Sequence, residues 1–146
     1  MDLFVKKISE KAILPSRKTD GSAGFDISAC IDVPIEINPS EIVKIPTGIA
    51  IRPSEENIAL LAFPRSGLAS KYGITLANSV GVIDSDYRGE ISIPLINNSE
   101  KTFIIEPQMR IAQIVIIPII IPNIIESDLN DDTERGKKGF GSTGLF

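Results

Sequence analysis

The stretch IVKIPTGIAIRPSEENIALLAF, residues 42–63, decides the fold class. It holds two short apolar runs, Ile42 to Ile51 and Ile58 to Phe63, separated by Pro53 and a polar turn. Short runs rich in β-branched and aromatic residues between turn formers read as strands. The same pattern recurs at Leu3 to Ile8, Phe25 to Cys30, Val33 to Ile37, Glu90 to Ile96 and Thr102 to Ile105. The expectation is an all-β chain, a jelly-roll-like β-barrel or sandwich. Ten prolines leave little room for helices and imply edges, bulges and bends. One short helix is expected, Ser66 to Tyr72.

At 146 residues the chain is expected to form one domain. The most apolar segment, Ile111 to Ile125, is interrupted by Gln113, Pro118 and Pro122 and is too short to span a bilayer, so it is read as buried strand and no membrane partner is expected. From Glu126 onward clustered acids, then bases, then glycines replace core-forming residues. This divides the chain into a β-barrel catalytic domain, 1–125, and a flexible C-terminal arm, 126–146.

The formal net charge of -4 argues against a broad surface for nucleic-acid backbone, so phosphate recognition has to be local. Zero histidines and the single Cys30 remove the common zinc sites and any Ser-His or Cys-His pair, leaving chemistry to carboxylates. The first residues, MDLFVKKISEKA, lack the apolar core of a secretory signal, and an intracellular, cytoplasmic location is expected, the host's if the source is viral.

Two phosphate motifs in the arm are rejected. Gly139, Gly141 and Gly144 spell G-x-G-x-x-G, but the chain ends at Phe146 with no helix to hold a pyrophosphate. Gly136 to Gly141 has P-loop spacing, yet Ser142 stands where the lysine is required.

Five segments carry candidate chemistry. GVIDSDYRGEI, 81–91, reads as a hairpin in which Asp84, near Ile83 and Tyr87, is suited to act as a general base, although Asp and Gly are ordinary turn formers. PRSGLA, 64–69, sets Arg65 and Ser66 at the start of the helical turn, either a phosphate cradle or a plain N-cap with a surface arginine. In SAGFDISA, 22–29, Asp26 is bracketed by apolar residues and needs a partner, an arginine or the water shell of a metal. Arg110 and Gln113 break the apolar run of RIAQIV, 110–115, and Arg135, Lys137, Lys138, Phe140, Ser142 and Thr143 fit a lid over phosphates.

Taken in order, these segments resemble the five motifs of the trimeric dUTPases; IDSDYRG and GFGSTG carry most of the specificity. The resemblance implies hydrolysis of dUTP to dUMP and pyrophosphate by a homotrimer whose active sites are shared between subunits, with Mg²⁺ as cofactor. It assigns Asp84 as the base; Arg65, Ser66, Gly67 and Gln113 to the phosphates; and Asp26 to magnesium through water. Asn78 and the backbone of Gly81, Val82, Ile83 and Asp84 would read uracil, and Tyr87 would exclude a 2'-hydroxyl. Arg135 would clamp the terminal phosphate and Phe140 stack on the base, with Gly141, Ser142 and Thr143 beside them. Pro107-Gln108-Met109 departs from the family's frequent Gly-Asp turn, and a local loop difference is expected there. Two rivals remain: a dCTP deaminase, against which DSDYRG argues, and a regulatory trimer that binds nucleotide without turnover.

Overall fold

The computed structural model describes residues 1–128 and Gly136. Eleven strands and one helix follow one another: β1 (Leu3–Lys7), β2 (Phe25–Ser28), β3 (Ile35–Ile37), β4 (Ile42–Pro46), β5 (Ile49–Pro53), β6 (Ile58–Pro64), α1 (Ser66–Tyr72), β7 (Ile74–Leu76), β8 (Gly81–Asp84), β9 (Ser92–Asn97), β10 (Phe103–Ile105) and β11 (Arg110–Pro118). Among the described residues the chain is all-β, with one short helix at the residues expected from the sequence.

All pairings are antiparallel, and the strands form four sheets: β2-β11-β6-β8, β4-β9-β7, β1-β5 and β10-β3. Of the two expected architectures, the sandwich describes these sheets. Leu60, Ile93, Leu95, Ile111 and Ile114 from the two larger sheets are almost fully enclosed in one cluster with Ile27, Ile37, Ile45, Ile49, Ile74 and Ile105. The alternating burial of β9, half-buried then buried at successive residues, is the period-2 signature of a strand with one face inward.

Three details differ from the sequence reading. Residues 42–51 are two strands in different sheets, because Thr47-Gly48 turns the chain and Gly48 takes φ 68°. Residues 81–91 are not a hairpin: β8 pairs with β6, whereas β9 pairs with β4 and β7, so the segment crosses from one sheet to the other. The apolar segment 111–125 is buried strand only in its first half. β11 ends at Pro118, which has no N–H to extend the ladder, and Ile120, Ile121, Ile124 and Ile125 are 93%, 68%, 98% and 81% exposed.

The departure at 107–109 is a tight turn. Met109 N–H donates to Glu106 O at 3.1 Å and Gln108 has φ 63°, so a glutamine occupies the left-handed position a glycine usually fills, with Pro107 before it as in a type II turn. The expected arm falls outside the described residues apart from Glu126 to Asp128 and Gly136.

Candidate active site

Strand β11 brings the first cluster together by pairing with β2 on one side and β6 on the other. Gln113 stands opposite Asp26 on β2 and Phe63 on β6, and its Nε2 donates to Pro64 O at 3.1 Å, which fixes its carboxamide at the end of β6. The chain leaves β6 through Arg65, the N-cap of α1, whose side chain makes no cap hydrogen bond and is free to reach sideways. Arg65 Nε donates to Asp26 Oδ1 at 3.0 Å, and Arg110 Nη1 donates to Asp26 Oδ2 at 2.7 Å. A cleft of about 420 Å³ opens here, lined by Lys18, Ser22 to Gly24, Asp26, Arg65, Ser66, Gly67, Arg110 and Gln113. Three cations face one carboxylate, and the first backbone N–H groups of α1 lie beside them, a local anion site on a chain of net negative charge.

A second cleft, about 320 Å³, lies where 81–91 crosses between the two larger sheets. Its lining includes Asn78, Gly81, Val82, Ile83, Asp84 and Tyr87, together with Lys44, Glu90 and Ser92 to Pro94. Gly81 is buried against Ala62: a Cβ there would lie 3.2 Å from the Ala62 methyl and 3.2 Å from Asn78 Nδ2, so the wall is built close. Tyr87 N–H donates to Asp84 O at 3.1 Å, closing the turn that presents both side chains. Among the described residues, the two clefts share no lining residue.

A family model described as dUTPase matches residues 10–144. The chain belongs to the dUTPase family. It is similar to the deoxyuridine 5'-triphosphate nucleotidohydrolase of Desulfitobacterium hafniense (strain DSM 10664 / DCB-2), 50% identical over 132 residues that cover 90% of this chain and 87% of that protein. The solved Staphylococcus bacteriophage 80alpha dUTPase with dUPNHPP is similar in fold, with a TM-score of 0.89 at 30% identity over 99% of each chain. A mutant dUTPase from phage phi11 of S. aureus, described by its coordination of a structural Mg(II) ion, gives a TM-score of 0.79 at 26% identity over 88% of this chain and 97% of its own.

The dUTPase residues named from the sequence fall into two groups. Asp26, Arg65, Ser66, Gly67 and Gln113 come together in the cationic cleft; Asn78, Gly81, Val82, Ile83, Asp84 and Tyr87 line the other. Arg135, Phe140, Gly141, Ser142 and Thr143 lie outside the described residues. Asp84 is exposed, so the described residues do not by themselves build the apolar enclosure expected to favour it as a base. Lys18, Lys44 and Glu90 line the clefts without having been singled out, and Arg110 had been noted without a role. The need of Asp26 for an arginine partner was the available signal for Arg110; none marks Lys18, Lys44 or Glu90.

The donor set does not fit a resident magnesium ion. Among the described residues no group of three or more Asp, Glu, His or Cys is placed to hold a metal, and both oxygens of Asp26 are already paired with guanidinium groups. Such a cleft suits a polyphosphate better than a bare cation.

Proposed function

We propose that this dUTPase hydrolyses dUTP to dUMP and pyrophosphate at sites assembled from the Asp84 cleft of one subunit and the cationic cleft of another in a homotrimer. The observation that carries this reading is the division of the family's site residues between two clefts with no residue in common. A second support is the exposed run Ile120, Ile121, Ile124 and Ile125, apolar surface of the kind that a partner subunit covers. The product chemistry lowers the dUTP available for incorporation into DNA and supplies dUMP for thymidylate synthesis, a role inside the cell.

In the mechanism, Asp84 accepts a proton from water as the water oxygen bonds to the α-phosphorus. The bond from that phosphorus to the oxygen bridging the β-phosphate breaks, and pyrophosphate leaves with the electron pair. Arg65, Arg110 and Lys18 offset the charge of the phosphates, while Ser66, the Gly67 N–H and Gln113 orient them. Magnesium would come with the substrate and would offset phosphate charge; Asp26, whose two oxygens keep acceptor capacity beyond the bonds to Arg65 and Arg110, would face its waters. Asn78 and the backbone of residues 81–84 read the uracil edge, the Gly81 wall refuses a 5-methyl group, and Tyr87 lies under the sugar and refuses a 2'-hydroxyl. The arm, with Arg135, Phe140, Gly141, Ser142 and Thr143, closes over the bound nucleotide.

The test is incubation of the protein and its Asp84→Asn variant with dUTP, dTTP, dCTP and UTP, each with magnesium, followed by separation of products. Monophosphate and pyrophosphate from dUTP alone, lost in the variant, is the expected result. Consumption of dCTP would return the deaminase reading, and a folded protein inert toward all four would return the binding one.

A further inference from the structure

Tyr87 is held by the chain that follows it. Its Oη donates to the backbone carbonyl of Glu90 at 3.0 Å, and its ring lies over Gly89, where any Cβ would overlap the phenol oxygen. The position of the Glu90 carbonyl therefore sets the position of the ring. That carbonyl belongs to a residue whose side chain is itself anchored: Glu90 Oε1 accepts from Gly48 N–H at 2.8 Å, across to the turn between β4 and β5. The turn is stiff. A Cβ at Gly48 would lie 2.6 Å from Cys30 Sγ and 2.9 Å from the Ala12 methyl, and Gly48 O accepts from Ile8 N–H at 2.7 Å.

We propose that Glu90 is a positioning residue for sugar discrimination: its carboxylate ties the Tyr87-bearing loop to the Gly48 turn and so sets how closely the phenol ring approaches the sugar. The inference rests on the proposed role of Tyr87 in refusing a 2'-hydroxyl. Glu90 is half-buried in the wall of the same cleft, and nothing in the chemistry of phosphate transfer calls for it. A steric filter works only if its wall cannot yield, and an exposed loop between two sheets yields unless tied. The neighbouring residue is fixed independently of the carboxylate. Ile91 N–H donates to Ile49 O at 2.9 Å, and the buried Thr47 Oγ1 donates to Ile91 O at 2.5 Å. Loss of the Glu90 side chain therefore loosens residues 85–90 while the strand after them stays in place.

The experiment compares kcat/KM for dUTP and for UTP in the wild type, Glu90→Ala, Glu90→Gln, Tyr87→Phe, Tyr87→Ala and the double variant Glu90→Ala/Tyr87→Phe. Glu90→Ala is expected to lower the dUTP-over-UTP preference about tenfold, the worth of one hydrogen bond. Glu90→Gln keeps an oxygen to accept from Gly48 N–H and retains most of the preference. Tyr87→Phe breaks the same link at its other end, so the double variant loses no more than the worse single one. An unchanged preference in Glu90→Ala while Tyr87→Ala abolishes it overturns the role of Glu90 alone. Equal losses in the Gln and Ala variants, or additive losses in the double one, also overturn it. A preference that survives Tyr87→Ala removes the sugar-filter reading beneath it, and the inference with it.

Discussion

Gln113 leaves no room for a side chain on residue 24: a Cβ built on Gly24 would lie 2.7 Å from Gln113 Oε1, 3.3 Å from its Cβ and 3.4 Å from its Cδ. The carboxamide is also tied to Pro64 O, so it cannot move without losing that bond. Gly24→Ala is expected to lower kcat/KM for dUTP about 10- to 100-fold, mainly through KM, by displacing the group proposed to orient the phosphates. Steady-state kinetics together with an unchanged circular dichroism spectrum would check it; normal kinetics would show that Gln113 does not orient the substrate.

Asp26 makes ion pairs with Arg65 and Arg110 while only 17% exposed on its side chain. Replacing it by Asn keeps the shape and removes the charge that holds both guanidinium groups at the cleft mouth. Asp26→Asn should cost about 1 kcal/mol of stability or less, because the arginines are partly solvated, and should weaken pyrophosphate or dUTP binding as the arginines lose their fixed geometry. Calorimetric titration with a non-hydrolysable dUTP analogue, with and without magnesium, is the measurement. Tighter binding in Asp26→Asn would mean that the carboxylate opposes the phosphates and has no organising value.

The sequence was informative about elements and poor about their partners. Helix α1 was legible because Pro64 stops the strand before it and Gly73 supplies the left-handed end after it, both local signals. The crossing at 81–91 was not, because apolar alternation reports which face of a strand is buried and is silent about which sheet receives it. The same limit hid the split at Thr47-Gly48. For the site, Asp26 and Gln113 stood out in the sequence because each interrupts an apolar run, and both line one cleft; Arg135, Phe140, Gly141, Ser142 and Thr143 lie outside the described residues. Glu90 looks like any solvated acid until its oxygen is seen on Gly48 N–H.

Among the described residues Asn97 is the one large polar side chain that is fully buried, and every donor and acceptor on it is used. Its Nδ2 donates to Ile37 O and Lys101 O, both at 2.8 Å, and its Oδ1 accepts from Ser99 N–H and Ser99 Oγ. Asn97→Leu strands these groups in the core, and a loss of about 2 to 4 kcal/mol is expected, read as a lower urea midpoint with an unchanged slope. A loss under about 0.5 kcal/mol would contradict a structural role for this network.

Gln108 sits at φ 63° in the turn before β11. A side chain in that region costs roughly 1 to 2 kcal/mol, partly offset in a glycine variant by the greater freedom of its unfolded chain. The melting temperatures should therefore rank Gln108→Gly above wild type and Gln108→Val below it, since a β-branched residue tolerates that region least. The reverse order would mean that the glutamine side chain earns its place by contacts and the turn is not strained.

Because Asp84 and Ser66 line different clefts of one chain, the proposed trimer makes a demand that a self-contained monomer does not. Asp84→Asn damages only the cleft that holds the base, and Ser66→Ala only the cleft that holds the phosphates. If each site draws one cleft from each of two subunits, denaturing, mixing and refolding the two impaired variants in equal amounts restores about one site in four to an intact pair. Neither variant alone gains by the same treatment. Activity in the mixture near a quarter of the wild-type value is expected, rising from two preparations that are each nearly inert. A mixture no more active than its parts, with exchange of subunits verified by mass spectrometry, would mean that both clefts serve the nucleotide within a single chain, and the exposed isoleucines from 120 to 125 would then need another partner.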